Sequence, residues 1–190
     1  MSNLPTQQPK PKSTLKIVLI VCGVMFLGGI LLIGGISVLA ALTLPVLGRA
    51  REAARRVSSA SNLSQMGKAM ILYADQDENK GEGPSDPTKL FPNFINDPRV
   101  FKRPGYPENQ DVHYMLVVGP IQEDSQCISA FENPPPGQER VGRNVLFASG
   151  AVEWMTDADY KEALAKTEEH LKENKRPFEV VPISRASFNR

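Results

Sequence analysis

Four oxygen-bearing side chains, Asp75, Asp77, Asn79 and Asp86, fall at the first, third, fifth and twelfth places of one segment. A calcium loop uses this spacing to bring carboxylates onto one hard cation. Such a loop needs glycine at the sixth place, yet Lys80 stands there with Gly81 one residue late, and Glu82 occupies the eighth place where an apolar residue belongs. The expected reading is a solvated loop, with these four residues as the chain's candidate metal set. His113 and His170 are the only histidines, and neither lies within local ligand spacing of the other or of Cys127. They read as surface or strand residues rather than as a metal site or a nucleophile and base. The sequence presents no catalytic signature and implies no cofactor, so an enzyme is not expected. Arg49, Arg51, Arg55 and Arg56 follow directly on a long apolar run, where guanidinium groups meet lipid phosphates.

Charge balance separates that reading from nucleic-acid binding. Lys10, Lys12 and Lys16 are the only charges before Arg49, and the rest of the chain carries 19 basic against 21 acidic residues. Nucleic-acid binders carry a basic excess on the domain, and four clustered arginines without interleaved aromatics do not supply one. Nucleic acid is therefore not an expected partner; membrane lipid is. Cys22 lies in the apolar run and Cys127 about a hundred residues away, so no disulfide between them is expected.

These residues must be positioned by a small number of elements. Residues 1–16 form a polar tail. From Ile17 to Leu47 there are 31 residues without a charge, and a helix needs about 20 to cross a bilayer core. A cleaved signal peptide has an apolar region of only about 7 to 15 residues, and Val21 before Cys22 does not suit a lipoprotein site. An uncleaved transmembrane helix over 17–47 is the expectation. Gly28, Gly29, Gly34 and Gly35 let helices approach there, although their six-residue spacing differs from the usual four-residue dimer motif.

Beyond the run, 48–75 reads as a continuing amphipathic spine helix whose stripe is Val57, Ala60, Leu63, Met66, Met70 and Tyr73. Pro45 and Gly48 are tolerated within it as a kink. The proline- and glycine-rich stretch 76–111 reads as a long surface loop. Four strands are expected within 112–156, at His113–Val118, Cys127–Phe131, Asn144–Ala148 and Ala151–Met155. The last two are joined by Ser149 and Gly150 as a two-residue hairpin link. Trp154 and Phe147 should then share a face and pack toward Leu63, Met66 and Met70. A C-terminal helix spans 157–175, opened by Asp157, and the tail 176–190 shows no period. The expected fold class is α+β, with a spine helix on a four-stranded antiparallel sheet.

The segment from Ala40 through Leu44, Pro45, Val46, Leu47, Gly48 and Arg49 to Arg56, followed by Ser61-Asn62-Leu63-Ser64-Gln65-Met66-Gly67, resembles the N-terminal helix of bacterial type IV pilin-like proteins. The likeness is to the pseudopilin-like family with a prepilin cleavage and methylation segment. A second stretch, Asn144 to Met155, is similar to that family's C-terminal hairpin, with Ser149-Gly150-Ala151 where the family usually reads Asp-Gly-His. The resemblance implies a helix spine on an antiparallel sheet, the N-terminus in the cytoplasm, the head outside the inner membrane, and pilin-like subunits or secretion machinery as partners. It places the family's cleavage glycine on Gly23, its mature N-terminal residue on Val24 and its assembly glutamate on Gly28. Loss of that acid, and a cleavage point buried in the apolar run, imply a derivative that is neither processed nor polymerised in the usual way. Lys and Arg counts near the helix ends are three before and four after, so charge alone leans toward the opposite topology. The function so implied is interaction or assembly in a type II secretion or type IV pilus-related envelope system. The alternative is a tethered ligand-binding or sensing module that uses the proline-rich loop.

Overall fold

The computed structural model describes residues 12–76, 78–79, 81–106, 109–120, 123–135, 137, 141–184 and 188. The chain divides into two compact units, Met1–Arg51 and Glu52–Arg190. One helix, α1 (Lys12–Ala74), begins in the first and ends in the second.

In the first unit the apolar side chains described between Ile17 and Leu47 are exposed, and the helix is long and apolar enough to cross a membrane. Its hydroxyls are satisfied within the helix, Ser37 Oγ donating to the Ile33 carbonyl at 2.7 Å and Thr43 Oγ1 to that of Leu39 at 2.9 Å. That is what a hydroxyl needs where no water can reach it. A Cβ added at Gly23, Gly28, Gly29, Gly34 or Gly35 would meet nothing within 4 Å.

The second unit is built on a five-stranded antiparallel sheet: β1 (Val112–Val118), β2 (Ile128–Glu132), β3 (Arg143–Phe147), β4 (Val152–Met155) and β5 (Glu179–Ser184), in the order β4-β3-β2-β1-β5. The α+β class holds, with one strand more than the four expected; the added β5 comes from the unassigned tail and pairs with β1. Leu63, Met66 and Ala69 of α1 pack with Tyr114, Leu116, Ala130, Leu146 and Ile183 on one sheet face. On the other, α2 (Asp157–Glu173) lays Tyr160, Ala163 and Leu164 against Val117, Ile128, Phe131 and Val145. Central strands are thus buried on both sides. Thr156 caps α2, its Oγ1 accepting from Asp159 N–H, and Asp157 and Asp159 in the first turn suit the positive end of the helix dipole.

The helix stripe differs from expectation at its start. Val57 is exposed, while Ser59 is fully buried and its hydroxyl hydrogen-bonds the Tyr114 hydroxyl at 2.9 Å. Burial pushes that phenol up to about 12. Gly67 marks the closest approach of helix and sheet, since a Cβ there would come within 2.8 Å of Leu146 Cδ1.

The stretch 76–111 is not a solvated surface loop. Two single turns of 3₁₀ helix, Pro87–Leu90 and Pro98–Phe101, are capped by Asp86 and Asp97, whose carboxylates accept from Thr88 N–H at 2.8 Å and Arg99 N–H at 2.9 Å. Each turn delivers apolar residues to the core, and Leu90, Ile95, Val100 and Phe101 are buried beside α1. Phe188 closes this cluster by stacking on Phe101 at 4.0 Å.

The β3–β4 hairpin corrects the two-residue link. Phe147 N–H donates to Ala151 O and Gly150 N–H donates to Phe147 O, each at 2.9 Å, so the loop is Ala148–Gly150 with Gly150 at φ +84°. This is a type I turn closed by a glycine bulge. One extra loop residue shifts the register by one and exchanges the sheet faces. Asn144 pairs with Trp154 and Leu146 with Val152 on the α1 side, whereas Phe147 turns to the α2 side. Trp154 sits at the rim of the α1 side, 36% exposed, with the Arg56 guanidinium 4.2 Å above its ring. Trp154→Ala is therefore expected to cost about 1 kcal/mol, the scale of an exposed cation–π contact, not the 3 to 5 of a truncated core aromatic. Chemical denaturation of the full chain checks this; a loss above about 3 kcal/mol would restore a buried indole.

Candidate functional site

Two places in the second unit concentrate polar chemistry. The first is a buried ionic junction at the end of the sheet where α1 enters the head. Glu132 closes β2 with 1% of its surface exposed. Its Oε1 accepts from Asn144 Nδ2 at 2.7 Å and lies 3.3 Å from Arg103 Nε, while Oε2 accepts from Asn144 N–H at 3.2 Å. Arg103 also reaches Glu52 on α1 at 3.3 Å and stacks over Tyr106 at 4.4 Å. Burial works against the Arg103 charge, but Glu132, Tyr106 and Glu52 outweigh it and hold the guanidinium above its usual value. His113 is tied into the same corner: Arg103 N–H donates to Nδ1 at 3.3 Å, which leaves Nε2 to donate to the Gln110 carbonyl at 2.8 Å. It is a buried strand residue, one of the two places expected for it.

The second place is a groove of about 800 Å³ between α2 and the β3–β4 hairpin. Phe147, Ala151, Met155 and Ala163 supply an apolar floor, and Glu123, Asp124, Glu153, Asp159 and Glu162 set an acidic rim against Lys166 and His170. Asp124 is clamped at the groove's end by Arg176, whose Nη2 donates to Oδ1 at 2.8 Å, and by His170 Nε2 at 2.9 Å. Cys127 lines the same end; burial, and then Asp124, push its thiol up, so it remains protonated at neutral pH and is a poor nucleophile. The groove was not anticipated from sequence, because it is shaped by how α2 packs over the hairpin that precedes it, with Glu123 to Cys127 closing one end, and no local spacing encodes that packing.

No family model, curated protein or solved structure matches this chain. The residues singled out in the sequence are therefore placed by the structure alone. Gly23, Val24 and Gly28 lie exposed on α1 in the first unit, as do Arg49 and Arg51. Arg55 packs over Gly105 and Arg56 over Trp154, so these two arginines are engaged with the head itself. In the candidate calcium set Asp86 caps a 3₁₀ turn and Asn79 Nδ2 donates to the Tyr73 carbonyl at 2.6 Å; Asp77 lies outside the described residues. Among the described residues no three His, Cys, Asp or Glu side chains converge on a metal position.

Proposed function

We propose that this chain is a non-enzymatic, membrane-anchored, pilin-like protein whose head serves interaction or assembly in an envelope system related to type II secretion or type IV pili. The helix over 17–47 holds it in the bacterial inner membrane, with the N-terminus cytoplasmic and the head outside. The observation that carries the reading is the packing of α1 residues 52–74 along an antiparallel sheet whose β3–β4 hairpin lies against Gly67, the arrangement that the sequence resemblance implies. Purification of the full chain from crosslinked membranes, followed by mass spectrometry, tests it. Crosslinks from the anchor or from exposed α1 positions to pilin-like or secretion components are expected. Their absence would overturn the proposal.

The groove under α2 favours a second reading, a tethered ligand-binding module. Its concave surface lies on the sheet face opposite the proline-rich stretch, which is packed into the core. A ligand recovered in the groove without crosslinked neighbours would favour this second reading over the first.

Processing offers a further check. The bond after Gly23 is seven residues beyond Lys16, roughly 10 Å of helix rise into the apolar run, and Gly28 supplies no acid to pair with a freed amino terminus. Expression beside an active prepilin peptidase is expected to leave the Gly23–Val24 bond intact. An intact mass corresponding to a chain starting at Val24 would overturn the non-polymerising form of the proposal.

A further inference from the structure

The head exposes few large apolar side chains. Among its described residues Val57, Leu72, Val141 and Trp154 are the exposed ones, and Trp154 carries the Arg56 guanidinium over its ring. Arg56 lies 4.2 Å over the Trp154 ring, and its carbonyl accepts from Asn144 Nδ2 at 3.0 Å, next to the Asn144–Trp154 pair of the sheet. Val57 follows Arg56 on the helix. A Cβ on Gly142 would lie 3.0 Å from Trp154 Cζ2, and the exposed Val141 precedes that glycine in the chain. Arg55 adds a second cation beside it. The patch is therefore the partly exposed Trp154 indole with the Arg56 guanidinium over it, flanked in the chain by Arg55, which packs over Gly105, and by the exposed Val57.

We infer that this patch docks on the bilayer surface, with Trp154 seated among the lipid headgroups and Arg55 and Arg56 on lipid phosphates. The inference rests on the anchored reading of Ile17–Leu47. Five residue-to-residue steps lead from Leu47 to Glu52, the first residue of the head. They reach about 7.5 Å as helix and at most about 18 Å fully extended. The polar headgroup zone itself is roughly 5 to 8 Å deep on each side of the hydrocarbon core. The apolar run is also longer than a perpendicular crossing requires, about 46 Å of helix against about 30 Å of hydrocarbon. Tilting is one way to accommodate that surplus, and it brings whatever follows Leu47 down toward the surface.

The side-chain chemistry fits the same surface. Indole rings concentrate at the membrane–water interface because one edge is apolar and the N–H needs a polar partner. Guanidinium can stack on that ring and still offer paired donors to a phosphate. An anionic leaflet attracts such cations with about 1 kcal/mol each. Glu52 lies 3.9 Å from Arg55 Nη1 and 3.8 Å from Arg56 Nε in half-exposed pairs for which a lipid phosphate can compete; a second copy of this chain is the other occupant, which the experiment below separates from lipid.

Trp154 is the only tryptophan in the chain, so its fluorescence reports the patch directly. The full chain is placed at one copy per nanodisc of phosphatidylcholine with phosphatidylglycerol, carrying a nitroxide either at the headgroup or at the acyl-chain end. The headgroup nitroxide is expected to reduce Trp154 emission, with less effect from the deep nitroxide or from aqueous iodide. Arg56→Gln and, separately, the exposed-site change Val141→Ser should each weaken that quenching. An incorporated chain whose Trp154 is quenched by aqueous iodide and not by the headgroup nitroxide overturns the docking while leaving the anchor intact. Failure to enter discs overturns both. Shielding that appears only with two copies per disc overturns lipid as the occupant in favour of self-contact.

Discussion

Replacing Glu132 by alanine is expected to destabilise the head by about 3 to 5 kcal/mol, the cost of leaving one member of a buried ion pair uncompensated. Three groups depend on this carboxylate. Arg103, itself 7% exposed, would keep only Glu52, which is half in solvent, and the backbone N–H and Nδ2 of Asn144 would both lose their acceptors. The Asn144 amide retains the Arg56 carbonyl at 3.0 Å, so the helix-to-sheet tie is weakened rather than removed. Thermal melting of the full chain in detergent should show a drop of about 10 °C or more, at roughly 3 °C per kcal/mol for a unit of this size. The double replacement of Glu132→Leu with Arg103→Met removes both charges and should recover most of the loss. A single mutant within about 1 kcal/mol of the parent would show that the junction is hydrated in solution.

The parts of this fold legible in the sequence are those with a period. The charge-free run, the stripe of Leu63, Met66 and Met70 and the C-terminal helix opening at Asp157 lie near where they are expected, as do the four short runs with β-branched or aromatic residues between turn formers. What was not legible has local physical reasons. β5 contains Pro182, which argues against a strand, yet the segment is an edge strand paired on one side only, where a missing N–H is tolerated. The packed stretch 76–111 was hidden by its prolines. Read differently, Asp86-Pro87 and Asp97-Pro98 are two copies of one device: an aspartate cap, a proline that starts the turn, and apolar residues at its end. The hairpin differs from its sequence reading by one loop residue. Ser149-Gly150 resembles a two-residue link, and only the hydrogen bonds of Phe147 show that Ala148 belongs to the loop, which moves Phe147 to the opposite face from Trp154. The groove and the Arg103–Glu132 pair had no sequence signal, since the groove depends on how α2 packs over the hairpin before it and the pair meets only across the fold.

The second large effect is expected at Gly119, which ends β1 and turns the chain away from the sheet. Its φ is +120°, a region that side chains with a Cβ rarely enter, and an added Cβ would fall 1.9 Å from the Pro177 carbonyl oxygen and 3.0 Å from Leu171 Cδ1. Neither neighbour yields easily: Leu171 is fully buried on α2, and Pro177 lies just before β5, whose Glu179 pairs with Val118. Gly119→Ala therefore combines backbone strain of about 1 to 3 kcal/mol with overpacking of about 1 to 3 kcal/mol. Gly81→Ala separates the two causes, because Gly81 also has a positive φ, +81°, but a Cβ there meets nothing within 4 Å. It should show the backbone cost alone. The excess at Gly119 should appear as loosening of β5 before the rest of the sheet, since moving Pro177 draws the edge strand away from β1. Limited trypsin proteolysis of the full chain is expected to clip Gly119→Ala after Lys175 under conditions in which the parent and Gly81→Ala remain whole. Equal stability and equal protease resistance in the two variants would show that the contact between Gly119 and Pro177 does not hold β5 in place.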